Sequence, residues 1–190
     1  MLKKLFISKV RVSILKTYLL DLKTSFHIRE LVRELDEEIN AVRRELINLE
    51  AAGILKSKKD GNKLVYTINP KCPVLYELRA LFFKQSPIGK AITKLTEDVQ
   101  GIQVVILTES YIKQNYDNKT DVDLLFIGNM RVRDLSAGVS EIEKEMERDL
   151  RFSAIKKEDY DFARKKKEPF LMNILENDKI ILFGQISDLL

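Results

Sequence analysis

Asn40, Ala41, Arg43 and Arg44 fall within five consecutive positions and combine side chains with complementary hydrogen-bonding and apolar capacities. A guanidinium donates two parallel hydrogen bonds to guanine O6 and N7, an asparagine amide pairs with adenine, and an alanine methyl suits a thymine methyl. Downstream, Lys56, Lys58, Lys59 and Lys63, with Asn62 among them, supply cations of the kind that hold phosphates without reading sequence. These nine residues form the candidate DNA-binding set, and double-stranded DNA is the implied partner. A second constellation is Asp121-Val122-Asp123. Two acids one residue apart on a strand project to the same side and can hold a hard cation, so Asp121 and Asp123 are candidate metal ligands and magnesium is the cofactor this spacing allows.

These residues need elements to position them. Ile7, Val10, Ile14, Leu15, Tyr18, Leu19 and Leu22 are spaced for an amphipathic helix from about Leu5 to Leu22. Ile28, Leu31, Val32 and Leu35 mark a short second helix over His27–Leu35, with Ser25 as its expected N-cap and His27 as a surface or capping residue. Asp36 opens a tight connection. Ile39, Val42, Leu46 and Leu49 predict a third helix from about Glu37 to Ala52, closed by a left-handed Gly53, which turns Asn40, Ala41, Arg43, Arg44 and Ile47 outward. Glu45 and Glu50 are spaced to pair with Arg43 or Arg44, and Glu37 and Glu38 would oppose phosphate. Beyond Gly53 the period becomes two, and Asp60-Gly61 signals a hairpin turn. Two short helices, a third across a brief turn and a basic hairpin predict a winged helix-turn-helix. A further helix over Val74–Lys84 follows.

Ser86-Pro87 is the expected boundary, giving domains 1–85 and 86–190. The second half reads as helix (Ile88–Val99), strand (Ile102–Leu107), polar stretch to Thr120, strand (Val122–Ile127), helix (131–148), strand (Leu150–Ile155), a helix near Tyr160–Leu175 that Pro169 splits or kinks, and a final apolar run at Ile180–Phe183. The fold class is therefore α/β (α+β): a winged helix-turn-helix followed by a small α/β domain.

Charge separates the halves. Residues 1–85 carry 17 Lys/Arg against 10 Asp/Glu, a net +7, and residues 86–190 carry 16 against 19, a net −3. A nucleic-acid-binding half needs the positive field. One cysteine, Cys72, excludes an internal disulfide, and with a single histidine, His27, no zinc or thiolate sensor site can be built within one chain. The longest apolar runs are far too short to span a bilayer, and Lys9, Arg11 and Lys16 interrupt any signal-peptide core, so no membrane association and a cytoplasmic location are expected.

Residues Arg29–Asn69, with Val42-Arg43-Arg44-Glu45-Leu46, Leu49-Glu50-Ala51-Ala52-Gly53-Ile54-Leu55 and Asp60-Gly61-Asn62-Lys63-Leu64-Val65-Tyr66, resemble the arsenical-resistance-repressor type of winged helix. That resemblance implies a homodimer whose paired third helices read a palindromic site, with the first helix and the helix after the wing forming the dimer contact. The metal ligands of that family are missing here.

Asp121-x-Asp123 with Leu124-Leu125-Phe126-Ile127, the surrounding element order, Tyr160–Arg164, Pro169-Phe170-Leu171 and Ile180–Gly184 resemble the small nucleotidyltransferases of the DNA polymerase beta superfamily. The glycine-serine pair of active members is replaced by Thr108-Glu109-Ser110, and no third carboxylate stands in Arg151–Ile155. The resemblance therefore implies a degenerate domain that has lost transfer chemistry and either takes a nucleotide as effector or serves contacts alone. The alternative is an active magnesium-dependent nucleotidyltransferase acting on protein or RNA, with the winged helix positioning its target. A third reading is a dimeric adaptor that binds neither.

Overall fold

A computed structural model describes residues 1–116, 118–185 and 187. The chain divides into two compact units, Met1–Phe82 and Phe83–Leu190. The division falls inside the helix Leu75–Lys84, a few residues ahead of Ser86-Pro87. Residues 188–190, the end of the expected second domain, lie outside the described residues.

The first unit begins with α1 (Leu2–Leu5) and α2 (Lys9–Leu20), followed by β1 (Ser25–His27), α3 (Ile28–Leu35), α4 (Ile39–Ala51), β2 (Leu55–Asp60), β3 (Lys63–Ile68) and α5 (Leu75–Lys84). The single first helix expected from periodicity is broken at Phe6–Ser8, because extended Ser8 caps α2 by accepting the Arg11 N–H. Ser25 does not cap α3: it pairs with Thr67 as part of β1, and the cap falls to His27, whose N–H donates to Glu30. Asp36, in the left-handed region at φ 51°, ends α3 and turns the chain into α4. The sheet order is β1-β3-β2, all antiparallel. The hairpin register pairs Asp60 with Lys63, so its two-residue turn is Gly61-Asn62, not Asp60-Gly61. Gly61 takes φ 56° at the first turn position, where a type II′ turn requires glycine.

One core holds this unit together. Ile14, Leu15, Tyr18 and Leu19 of α2, Leu31 of α3, Val42, Leu46 and Leu49 of α4, Leu55, Tyr66 and Ile68 of the hairpin and Phe82 of α5 are all buried in it. Ile39, expected inside, is only partly buried. Three helices with a connection of a few residues between α3 and α4, backed by a three-stranded sheet, make a winged helix-turn-helix.

The second unit runs α6 (Pro87–Asp98), β4 (Ile102–Leu107), α7 (Glu109–Lys113), β5 (Leu124–Gly128), α8 (Val132–Met146), β6 (Phe152–Ile155), α9 (Lys157–Lys166), α10 (Pro169–Glu176) and β7 (Ile180–Phe183). The short α7 was not evident from periodicity, and Pro169 splits the expected long helix by starting α10, where its missing N–H costs nothing. The sheet order is β6-β5-β4-β7, with β5 and β6 parallel and β4 antiparallel to both neighbours. Val104, Ile106, Leu125 and Ile127 pack with Tyr160, Ala163, Leu171 and Ile174, so α9 and α10 cover one face. Val105, Leu107, Leu124 and Phe126 point the other way and are equally buried.

Candidate nucleic-acid interface

The outward face of α4 is what remains once its core side is subtracted. Asn40, Arg43 and Arg44 are exposed there, and Ala41 is partly buried, its N–H donating to Glu38 at 2.9 Å. The acids expected to pair with the arginines are engaged elsewhere. Glu45 is buried and accepts from Arg11 Nε at 2.8 Å, fastening α4 to α2. Burial works to raise its pKa, but hydrogen bonds from Ser8 and Arg11 and the Arg11 charge outweigh it and hold the carboxyl below its ordinary value. Glu50 accepts from Ser57 N–H at 3.0 Å and Ser57 Oγ at 2.6 Å, fastening α4 to β2. Among the described residues no acid stands within ion-pair distance of Arg43 or Arg44. Glu38 has its carboxyl lowered by N–H donation from Asn40 and Ala41, so that acid acts as the cap of α4.

The wing lysines divide between two faces. Alternation along the paired strands puts Lys56 and Lys58 with Lys63 on one face, and Lys59 on the other with Leu55, Ser57 and Leu64. All four lysines are exposed.

Between α3, α4 and the wing lies a cleft of about 880 Å³. It brings together Arg43, Asn62 and Lys63 from the expected set. Asn40, Ala41, Arg44, Lys56, Lys58 and Lys59 stand outside its lining. It also recruits two residues that sequence reasoning missed, Arg29 and Arg33, both exposed on α3. Their signal was present: they are four apart, on the side of α3 away from the buried Leu31. Ile47 and Leu64 give the cleft apolar walls.

In the second unit the two aspartates precede β5 and engage different partners. Asp123 is 1% exposed. Its Oδ1 accepts from the Tyr116 hydroxyl and, at 3.3 Å, from Arg148, and its Oδ2 accepts from the Arg151 N–H at 2.9 Å. Arg148 also donates to the Tyr116 oxygen at 2.7 Å and lies 4.4 Å from the Tyr111 ring centre. Burial, then the bond and charge of Asp123, push the Tyr116 hydroxyl pKa up. Asp121 instead accepts from the Asn118 N–H at 2.9 Å and lines a separate cleft of about 570 Å³ with Thr108, Glu109, Ser110, Lys113 and Phe170. The cation lining that cleft, Lys113, is paired with Glu109. A magnesium ion shared by Asp121 and Asp123 does not fit this arrangement, because Arg148 already supplies the positive charge at Asp123. Among the described residues no three His, Cys, Asp or Glu gather as a metal site.

No helix among the described residues is long and apolar enough to cross a membrane. No family profile matches the chain. Two solved structures resemble part of it. Reduced HlyU from Vibrio cholerae is 22% identical, covering 43% of this chain and 78% of that one, with a TM-score of 0.34. Rv0081 of M. tuberculosis is 23% identical, covering 46% and 81%, with a TM-score of 0.36. A stretch of 48 residues is 44% identical to an uncharacterized HTH-type transcriptional regulator of Methanocaldococcus jannaschii. That match takes in 25% of this chain and 12% of the relative, so the similarity is to a small part of a longer protein.

Proposed function

We propose that the first unit binds double-stranded DNA through α4 and the wing, and that the protein is a transcriptional regulator. The observation that carries this reading is the pair Arg43 and Arg44, exposed on α4 with their neighbouring acids Glu45 and Glu50 bonded elsewhere. Two unpaired guanidiniums on an exposed helix offer the donors that base edges and phosphates accept. Lys56, Lys58 and Lys63 on the wing supply phosphate contacts. The short match to a named transcriptional regulator supports the same reading.

The working form is a homodimer. Leu5 of α1 and Tyr76 of α5 are 58% and 40% exposed, and Ile7, two residues after Leu5, is fully exposed. Phe6 packs on Phe82 with ring centres 6.0 Å apart, so these apolar groups belong to neighbouring segments. The second unit is a nucleotidyltransferase-like domain without transfer chemistry; the internal pairing of Asp123 supports that assignment.

The test is selection of bound fragments from the source genome, with wild type and an Arg43→Ala, Arg44→Ala double variant, at two salt concentrations. Wild type alone should recover a palindromic site, with affinity falling steeply as salt rises. Enrichment by neither protein overturns the proposal.

A further inference from the structure

Ile47 is 53% exposed in the middle of α4, although Val42, Leu46 and Leu49 already fill the buried side of that helix. It follows Arg43 by four residues and Arg44 by three, on the face that also carries Asn40, and it shares the cleft beside the wing with Arg43. A branched aliphatic group left in water there contributes nothing to the core and donates no hydrogen bond. On the floor of a major groove the one apolar group presented by a base pair is the thymine 5-methyl. Ala41, the residue expected to make such a contact, is partly buried, and its single methyl lies a turn and a half nearer the helix start.

We infer that Ile47 selects a thymine by packing on its 5-methyl group, next to the hydrogen-bonding readout of Arg43. This rests on the DNA-binding reading above and deepens it from a surface to one base. Arginine and asparagine at this face distinguish guanine and adenine by donors and acceptors; Ile47 adds discrimination of thymine from cytosine, which lacks the methyl.

The test uses the full chain and the genomic site recovered by wild type. Duplexes in which each thymine is replaced singly by uracil delete one methyl and leave the pairing unchanged. Wild type should lose about fourfold in affinity at one thymine of each half-site, the worth of one buried methyl. Ile47→Ala should bind the natural site with a similar or larger loss and be indifferent to uracil at that position, so the two losses do not add. Ile47→Val, which keeps a branched methyl pair, should retain part of the uracil sensitivity. If no uracil affects wild type, or if the uracil penalty persists unchanged in Ile47→Ala, the inference is overturned while the DNA-binding reading stands. If Ile47→Ala changes the oligomeric state measured without DNA, Ile47 belongs to a protein interface and the inference is overturned. If wild type recovers no discrete site, both fall together.

Discussion

Arg11 Nε donates to Glu45 Oε2 at 2.8 Å, an ion pair whose acid is nearly enclosed and whose base stands 34 residues earlier on α2. The bond holds the inner side of α4 while its outer side stays free. Replacing Glu45 by Gln, whose amide oxygen can still accept the Arg11 N–H but carries no charge, should therefore lower stability by about 1 kcal/mol, the difference between a charge-assisted hydrogen bond and a neutral one. Urea unfolding of both proteins measures it, and an unchanged midpoint would show that the pair is idle.

Acid should weaken the same contact. Glu45, Glu38 and Glu30 all have carboxyls held below the ordinary 4.5 in the folded chain. A depressed folded pKa gives stability that is complete above the unfolded value and disappears as pH falls through the folded one. Melting temperature should thus stay level above about pH 5 and decline below it. The decline should be shallower in Glu45→Gln, which has one fewer of these protons to take up.

Arg29 and Arg33 should act as phosphate contacts. Either one changed to alanine should weaken binding to all duplexes by a similar factor and reduce the slope of log affinity against log salt by about 1. Arg43→Ala should instead relax the preference at one base position. Fluorescence anisotropy over a salt series separates the two patterns; an unchanged slope for both Arg29→Ala and Arg33→Ala would remove α3 from the interface.

Asp123→Ala should destabilise the second unit by about 3 kcal/mol, since it leaves the Tyr116 hydroxyl and the Arg151 N–H without their acceptor and the Arg148 charge without its counter-ion. Millimolar magnesium should leave the melting temperature of wild type unchanged. A magnesium-dependent rise that Asp121→Ala abolishes would show that the aspartates rearrange around a cation.

Local pattern made much of this protein readable. Helix periodicity located α3, α4, α5, α6 and α8, since each buries one stripe; near-continuous apolar runs located β4 and β5, which are buried on both faces. Where reading went astray, a contact distant in sequence had decided the matter. Ser25 is a sound helix cap in isolation, but β3 recruits it into a strand. Pro169, by contrast, splits the helix over Tyr160–Leu175 as its chemistry predicts, and α9 and α10 each bury a face on the same side of the sheet.

The amino-acid order by itself determined the helix-turn-helix and its basic hairpin and the concentration of positive charge in the first half, because these depend on residue type and on spacing within a few turns. Only the tertiary structure decided which charges are free. Glu45 and Glu50 are sequence neighbours of Arg43 and Arg44 yet bond to Arg11 and Ser57, while Asp123, spaced for a cation, is enclosed by Arg148 and Tyr116 from 25 residues later and 7 earlier. A side chain's partner is set by what folding brings within about 3 Å of it, and that distance is not written in spacing along the chain.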